Sequence, residues 1–283
     1  GELSTAAMDE ERLEGAVGGR HDGMGARIIL PESSELADVW GGAIALEDIV
    51  TASGLSLTRE NSKVLQSLDW KIRPGEHWLI AGGNGAGKSS LSRLLAAGGA
   101  VGEASERGGV AGGSLTILGQ TMVGQRAVSD SSGVGWVSTE RHLREAARED
   151  SASAVLSERA KSDALIRAVS RWLRLDGLLP RPFRELSQGE QKLVLIGAAV
   201  AEGPRVLIVD EPCTGLDATN RARVLGLFEA LARAELTSLV YITHHPEEVL
   251  PCISHVLHLR NGGVTYMGDV DGYQLAYPIR GAN

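Results

Sequence analysis

Cysteine is nearly missing from this 283-residue chain, with only Cys213 and Cys252 present. Neither metal-binding spacing nor a paired framework joins them, so they read as reduced thiols of an intracellular, cytoplasmic protein. The seven histidines form no cluster that suggests metal ligation. No run of 18 or more apolar residues occurs, which excludes a membrane-spanning helix of the ordinary kind. If the chain serves a membrane process, it sits at the membrane periphery and another chain supplies the spanning part. Positive charge is also short: 28 Lys and Arg stand against 36 Asp and Glu, a net charge of −8. That balance, with no basic insertion, speaks against nucleic acid as a partner. The first 25 residues are rich in Gly, Ala and acids (Glu2, Asp9, Glu10, Glu11, Glu14). Such composition suits a flexible lead-in and excludes an acid-poor transit peptide. Position 1 is Gly rather than Met, so we expect sequence upstream. No internal repeat is visible.

What is present is a globular composition, 43% hydrophobic, and one glycine-rich loop. Gly82-Gly83-Asn84-Gly85-Ala86-Gly87-Lys88-Ser89 fits G-x-x-x-x-G-K-[ST] and directly follows the apolar segment Trp78-Leu79-Ile80-Ala81. After it, Leu91, Leu94 and Leu95 recur at helical spacing until Gly98-Gly99. Strand, loop and helix in that order form a phosphate site, because loop amides and a helix N-terminus together hold anionic oxygens. We expect Gly82–Ser90 to bind the phosphates of a nucleoside triphosphate, with Lys88 on the outer ones.

Short apolar runs at Ile44–Leu46, Leu55–Leu57 and Val64–Ile72 predict antiparallel strands. Residues 98–113, glycine-rich and poor in anchors, predict an exposed loop. Ser114–Leu118 and Val134–Val137 predict further strands. From Glu140 to Leu179 composition turns helical, with Ala154, Val155, Ala160, Ala164, Leu165, Val169 and Leu173 on one face. After Gly203-Pro204, Val206–Val209, a helix near 218–235, Ser238–Ile242 and a hairpin at Asn261-Gly262-Gly263 restore the alternation expected of a covered parallel sheet. The expected organisation is a lead-in over 1–43, one domain over 44–270 with a helical insertion at about 139–200, and a tail over 271–283.

Val206-Leu207-Ile208-Val209 ends in Asp210-Glu211. Acids at the carboxyl end of a buried parallel strand lie where such sheets bind ligands. Beside a phosphate loop, Asp210 would hold Mg²⁺ opposite the Ser89 hydroxyl. Glu211 would orient or deprotonate the attacking water.

Three further stretches carry a family resemblance. Leu186-Ser187-Gln188-Gly189-Glu190 resembles an LSGGQ-type signature, Cys213-Thr214-Gly215-Leu216-Asp217 a D-loop, and Ile242-Thr243-His244 a switch histidine. With the phosphate loop and Asp210-Glu211 in the same order, the chain resembles the ABC ATPase cassette over roughly residues 44–270. The resemblance implies a P-loop NTPase (RecA-like) fold in the α/β class: a parallel sheet core, an antiparallel β subdomain and an inserted helical subdomain. It implies ATP sandwiched between two cassettes, with Ser187, Gln188, Gly189 and Glu190 of one facing the phosphate loop of a second, identical or tandem. It gives His244 a γ-phosphate contact, with His245 as competitor, and Asp217 the D-loop place. Ser187 and Glu190 read equally well as an N-cap and its capping box, and both roles are compatible.

Two departures stand out. Thr139 occupies the place of the family's usual glutamine, which normally senses membrane domains. No aromatic lies between Trp40 and Trp70, so Arg59 by its guanidinium plane, or Leu57, would have to meet the base. Pro74–Trp78, Pro182-Phe183, Thr243-His244-His245 and Pro251–His255 further resemble ModF-type cassettes, often found as two cassettes on one chain. The expected task is ATP hydrolysis by a dimerising cassette that drives or regulates a partner. The alternatives are the ATPase subunit of a membrane permease, or a module that binds ATP without turnover; Lys88, Asp210, Glu211 and His244 together speak against the latter.

Overall fold

The structure, a computed structural model, describes residues 40, 46–59, 62–96, 109–123 and 133–277. They fall into two units, one within Ala45–Val134 and Val240–Asn283, the other within Gly135–Leu239 and including Trp40.

In the first unit, β1 (Val50–Arg59) runs antiparallel to β2 (Ser62–Ile72). On its other side β1 pairs with β4 (Gly109–Ile117), which pairs with β5 (Gln120–Val123), giving the order β2-β1-β4-β5. Leu55, Leu57, Leu65, Leu68, Trp70, Ile72 and Leu115 are buried along these strands. The expected strand at Ile44–Leu46 is not one at Leu46, which is exposed and irregular; Ile44 and Ala45 lie outside the described residues. The loop expected over 98–113 is also corrected: Gly109–Gly113 belong to β4. At Gly113 glycine is a fitting requirement, since a Cβ there would stand 2.4 Å from the Gly54 backbone.

A second sheet of this unit sets β3 (Trp78–Ala81) between β8 (Ser238–Ile242) and β9 (His255–Arg260), parallel to both. All of β3 is buried, as a central parallel strand requires. β10 (Gly263–Asp269) closes the edge antiparallel to β9 through Asn261 and Gly262, both at positive φ (50° and 76°). That is the chemistry of a two-residue hairpin turn. Gly262 lies against β2: its carbonyl accepts from Gln66 N (2.8 Å), and a Cβ on it would meet Val64 O at 2.7 Å. α1 (Lys88–Ala96) leaves the phosphate loop, and α7 (Val270–Ala276), capped by Asp269, follows β10.

The second unit holds β6 (Val134–Ser138) and β7 (Val206–Asp210), which are neighbours in one sheet. Its helices are α2 (Thr139–Glu145), α3 (Ala152–Ser157), α4 (Asp163–Leu173), α5 (Gln188–Ala201) and α6 (Ala218–Arg233). Each begins on a serine or aspartate, Ser138, Ser151, Ser162, Ser187 or Asp217, whose side chain accepts an amide three residues on. Such caps stabilise helices by about 1 kcal/mol each. The expected continuous apolar face over 154–173 is broken in two: α3 ends at Ser157, Ser162 caps a new helix, and Ala154 is exposed. Arg174 at φ 56° ends α4 before Gly177 does. α5 is the buried axis, covered from Gln191 to Ala201. A Cβ on its Gly197 would stand 3.1 Å from Leu156 and Leu175, so the small residue lets them close in. Among the described residues no helix is long and apolar enough to cross a membrane.

Candidate functional site

The phosphate loop leaves β3 at Gly82 and enters α1 at Lys88. Gly82, Gly85 and Gly87 take φ of 134°, 78° and 106°, values that L side chains resist. Two of them also permit contact: a Cβ on Gly82 would meet Leu259 O at 2.1 Å, and one on Gly87 would meet Val64 O at 2.7 Å. The loop is thus moulded between β9 and β2. Ala86 N donates back to Gly83 O (3.2 Å), while Asn84, Gly85 and Ser89 face solvent. Lys88 is buried, and its Nζ donates to Gly82 O (2.6 Å) and Gly83 O (3.0 Å), which holds the ammonium over the loop. Ser90 is half-buried in the first turn of α1.

Because β3 and β8 are parallel, with Leu79 opposite Tyr241, the phosphate loop and Thr243-His244 emerge from the same sheet edge. His244 is half-buried. Thr243 Oγ1 accepts from His245 N (3.0 Å) and donates to the buried Glu248 carboxylate (3.2 Å), which shapes this turn. His245 is exposed, 3.7 Å from Glu247. Pro246–Glu248 make a single 3-10 turn. Leu57 is 5% exposed in the core of the antiparallel sheet, so it offers no face to a base. The side chain of Arg59 lies outside what the structure describes.

In the second unit, Asp210 is the last residue of β7 and is buried. Glu211 follows at φ 51°. A left-handed backbone on a non-glycine residue costs about 1–2 kcal/mol and persists only where its surroundings hold it. Here they do: Lys192, 4% exposed, donates from Nζ to Glu211 O (2.9 Å) and Thr214 O (2.9 Å).

The signature lies at the start of α5. Ser187 N donates to Glu190 Oε2 (2.8 Å), Ser187 Oγ donates to the same oxygen (2.7 Å), and Glu190 N donates to Ser187 Oγ (3.3 Å). The capping-box reading is therefore realised. The Ser187 hydroxyl and amide, with Arg181 at 3.3 Å adding to them, hold the Glu190 carboxyl below its ordinary range. Gln188 is exposed. Gly189 is half-buried, where a Cβ would stand 3.5 Å from Gly215 O of the D-loop. Asp217 caps α6; the Asn220 amide at 2.8 Å, foremost among its bonds, lowers its pKa. Signature, D-loop and Asp210-Glu211 are therefore linked in one unit. Thr139 is exposed at the first turn of α2, within the stretch from about 139 where a helical insertion was expected. That helix is fastened to α5: His142 Nε2 and Gln191 Oε1 lie 3.0 Å apart, and Gln191 Nε2 donates to Ala146 O and Phe183 O. Among the described residues no three His, Cys, Asp or Glu gather as a metal centre.

The sequence reading missed Lys192 and Gln191. A signal existed for Lys192, a charge directly before the apolar run from Leu193 to Ala201, since a lysine there is buried only when its protons have acceptors.

Comparison with known proteins agrees with this geometry. The ABC transporter family model matches residues 65–214, over half of the chain. The ABC transporter ATP-binding protein ModF of Escherichia coli (strain K12) is 30% identical over 269 residues, covering 90% of this chain. This chain spans about half of ModF, 51% of its length. The uncharacterized ABC transporter ATP-binding protein YlmA of Bacillus subtilis (strain 168) is 31% identical, covering 78% of this chain and 86% of its own. Among solved structures, a bacterial Atm1-family ABC exporter with ATP bound superposes with a TM-score of 0.67 at 18% identity, over 83% of this chain and 41% of that one. The dimeric post-hydrolysis structure of the cassette MJ0796 bound to ADP and Pi gives 0.61 at 17% identity, over 78% and 98%. These likenesses assign the fold: a P-loop NTPase with a parallel core, an antiparallel β part and a helical part. The chain belongs to the ABC transporter family.

Proposed function

We propose that two cassettes close around ATP and hydrolyse it, and that the closure and reopening drive or regulate a partner. The observation that carries this reading is the phosphate loop itself: three glycines at positive φ, with a buried lysine ammonium held over loop carbonyls. An incoming phosphate offers that ammonium better acceptors than two neutral carbonyls do. Residues Gly82 to Ser90 bind the triphosphate, with Lys88 on its outer phosphates. Ser89 and Asp210 are the residues we assign to Mg²⁺. Their hydroxyl and carboxylate are the hard oxygen donors that this ion takes alongside phosphate and water. When bound, the ion neutralises developing charge on the phosphoryl oxygens.

Glu211 accepts a proton from the attacking water, and His244 contacts the γ-phosphate. Ser187 and Gly189 complete the site of the second cassette from its other side, helped by the positive end of α5. The Ser187 hydroxyl must leave the Glu190 carboxylate to do so. Asp217, engaged at α6, shapes the D-loop. The partner cassette is an identical copy or a tandem neighbour in the cytoplasm. A membrane permease is the other candidate partner, and one observation favours the tandem reading. The place of the usual sensing glutamine is taken by Thr139, on the helix α2 that Gln191 fastens to α5.

Equilibrium binding of ATP tests the phosphate loop. Lys88→Ala loses ATP binding while the wild-type chain binds; retained micromolar binding by the variant would contradict the assignment.

A further inference from the structure

We propose that Lys192 is a positioning residue for the hydrolytic step: it holds the backbone of Glu211 so that the carboxylate reaches the attacking water. The inference rests on Glu211 being the catalytic carboxylate, as read above. Three observations carry it. Lys192 is 4% exposed within α5, a helix whose residues are buried from Gln191 to Ala201 and, from Leu193 on, are all small or apolar. A lysine in such a place needs acceptors for its protons. Its Nζ reaches two carbonyls at 2.9 Å, those of Glu211 and Thr214, so both ends of the Glu211–Thr214 turn are tied to one point. Finally, Glu211 stands at φ 51°, a conformation its own side chain disfavours. A hydrogen bond to the carbonyl of that residue supports the rotated peptide and fixes where the side chain leaves the chain.

The link has a further consequence. Lys192 lies two residues beyond Glu190, on the helix whose first turn is the signature. A shift of that turn, when Ser187 exchanges the Glu190 carboxylate for a phosphate, is passed through Lys192 to the turn that carries Glu211. Signature engagement and placement of the water-activating group are thus coupled within one chain through this buried ammonium.

The test uses Lys192→Met, which keeps the apolar stem and removes the donors, and Lys192→Gln, which is shorter and keeps an N–H donor. Phosphate release at saturating ATP and magnesium gives kcat, and equilibrium binding gives the ATP Kd. We expect kcat of Lys192→Met to fall roughly tenfold or more, since a misplacement near 1 Å is costly at a reacting centre. Lys192→Gln falls less, and the ATP Kd stays at the wild-type value in both. Should the methionine variant not fold, the glutamine variant supplies the same split of kcat from Kd. Wild-type kcat in the variants that fold, or a Kd that weakens in step with kcat, would overturn the proposal. Glu211→Gln is measured beside them. Full turnover in Glu211→Gln removes the catalytic assignment. Its loss of turnover beside an unchanged Lys192→Met removes only the role of Lys192. The double variant is expected to be no slower than Glu211→Gln alone, and a further loss places the action of Lys192 elsewhere.

Discussion

Gly82 has no room for a methyl group: a Cβ would stand 2.1 Å from Leu259 O, and the residue is at φ 134°. Gly82→Ala is therefore expected to lower stability by about 1–3 kcal/mol, the usual cost of overpacking, and to lose ATP binding as the loop is pushed out of shape. Thermal unfolding followed by ATP titration of the folded fraction reads both effects. The loop was legible in the sequence because its requirements are contiguous: glycines for the backbone, a lysine for the phosphate, an apolar strand ahead. Asp210 and Glu211 were legible for the same reason, an apolar run ending in acids. Lys192 was not, because its partners are carbonyls 19 and 22 residues further on, and carbonyls carry no residue identity. The positive φ of Glu211 was hidden too, since nothing in a glutamate's identity announces a left-handed backbone. Leu57 as a base platform failed because alternation makes a residue apolar without saying which side is already occupied.

At the scale of elements, α5 carries the most testable electrostatics. The Ser187 bonds lower the Glu190 pKa from its ordinary 4.5. A lowered carboxyl pKa means that its stabilisation is present at neutral pH and is lost as pH falls through the folded-state value. Wild type is expected to exceed Glu190→Ala by about 1 kcal/mol at neutral pH, the worth of a helix cap. The gap closes in acid, and denaturant unfolding at several pH values measures it. Glu190→Gln keeps the capping geometry without the charge, so ATP-driven association should strengthen if this turn meets the partner's phosphate; sedimentation at fixed ATP checks that. Sequence periodicity found β7, β8, α6 and the β9-β10 hairpin, where one pattern serves one element. It failed at α3 and α4, where small residues on both sides of Ser162 mimic one face. It failed at Gly109–Gly113, where a strand uses glycine to pass close to Gly54. The start of the helical stretch at about 139 was legible, and α2 begins at Thr139 behind its cap, Ser138.

At the scale of the molecule, the residues proposed to bind triphosphate and those proposed to complete a neighbour's site lie in different units, Lys88 and His244 in one and Ser187 to Glu190 in the other. A cassette that works alone has no use for the second set. The mass in solution of Glu211→Gln, saturated with ATP and magnesium, is therefore expected to rise from 29.8 kDa towards twice that, and to return on nucleotide removal. The most direct test of the account is phosphate release by the wild-type chain against Glu211→Gln at saturating ATP and magnesium. The account predicts a loss on the order of 10²-fold or more with ATP still bound. Equal rates from the two proteins would contradict it.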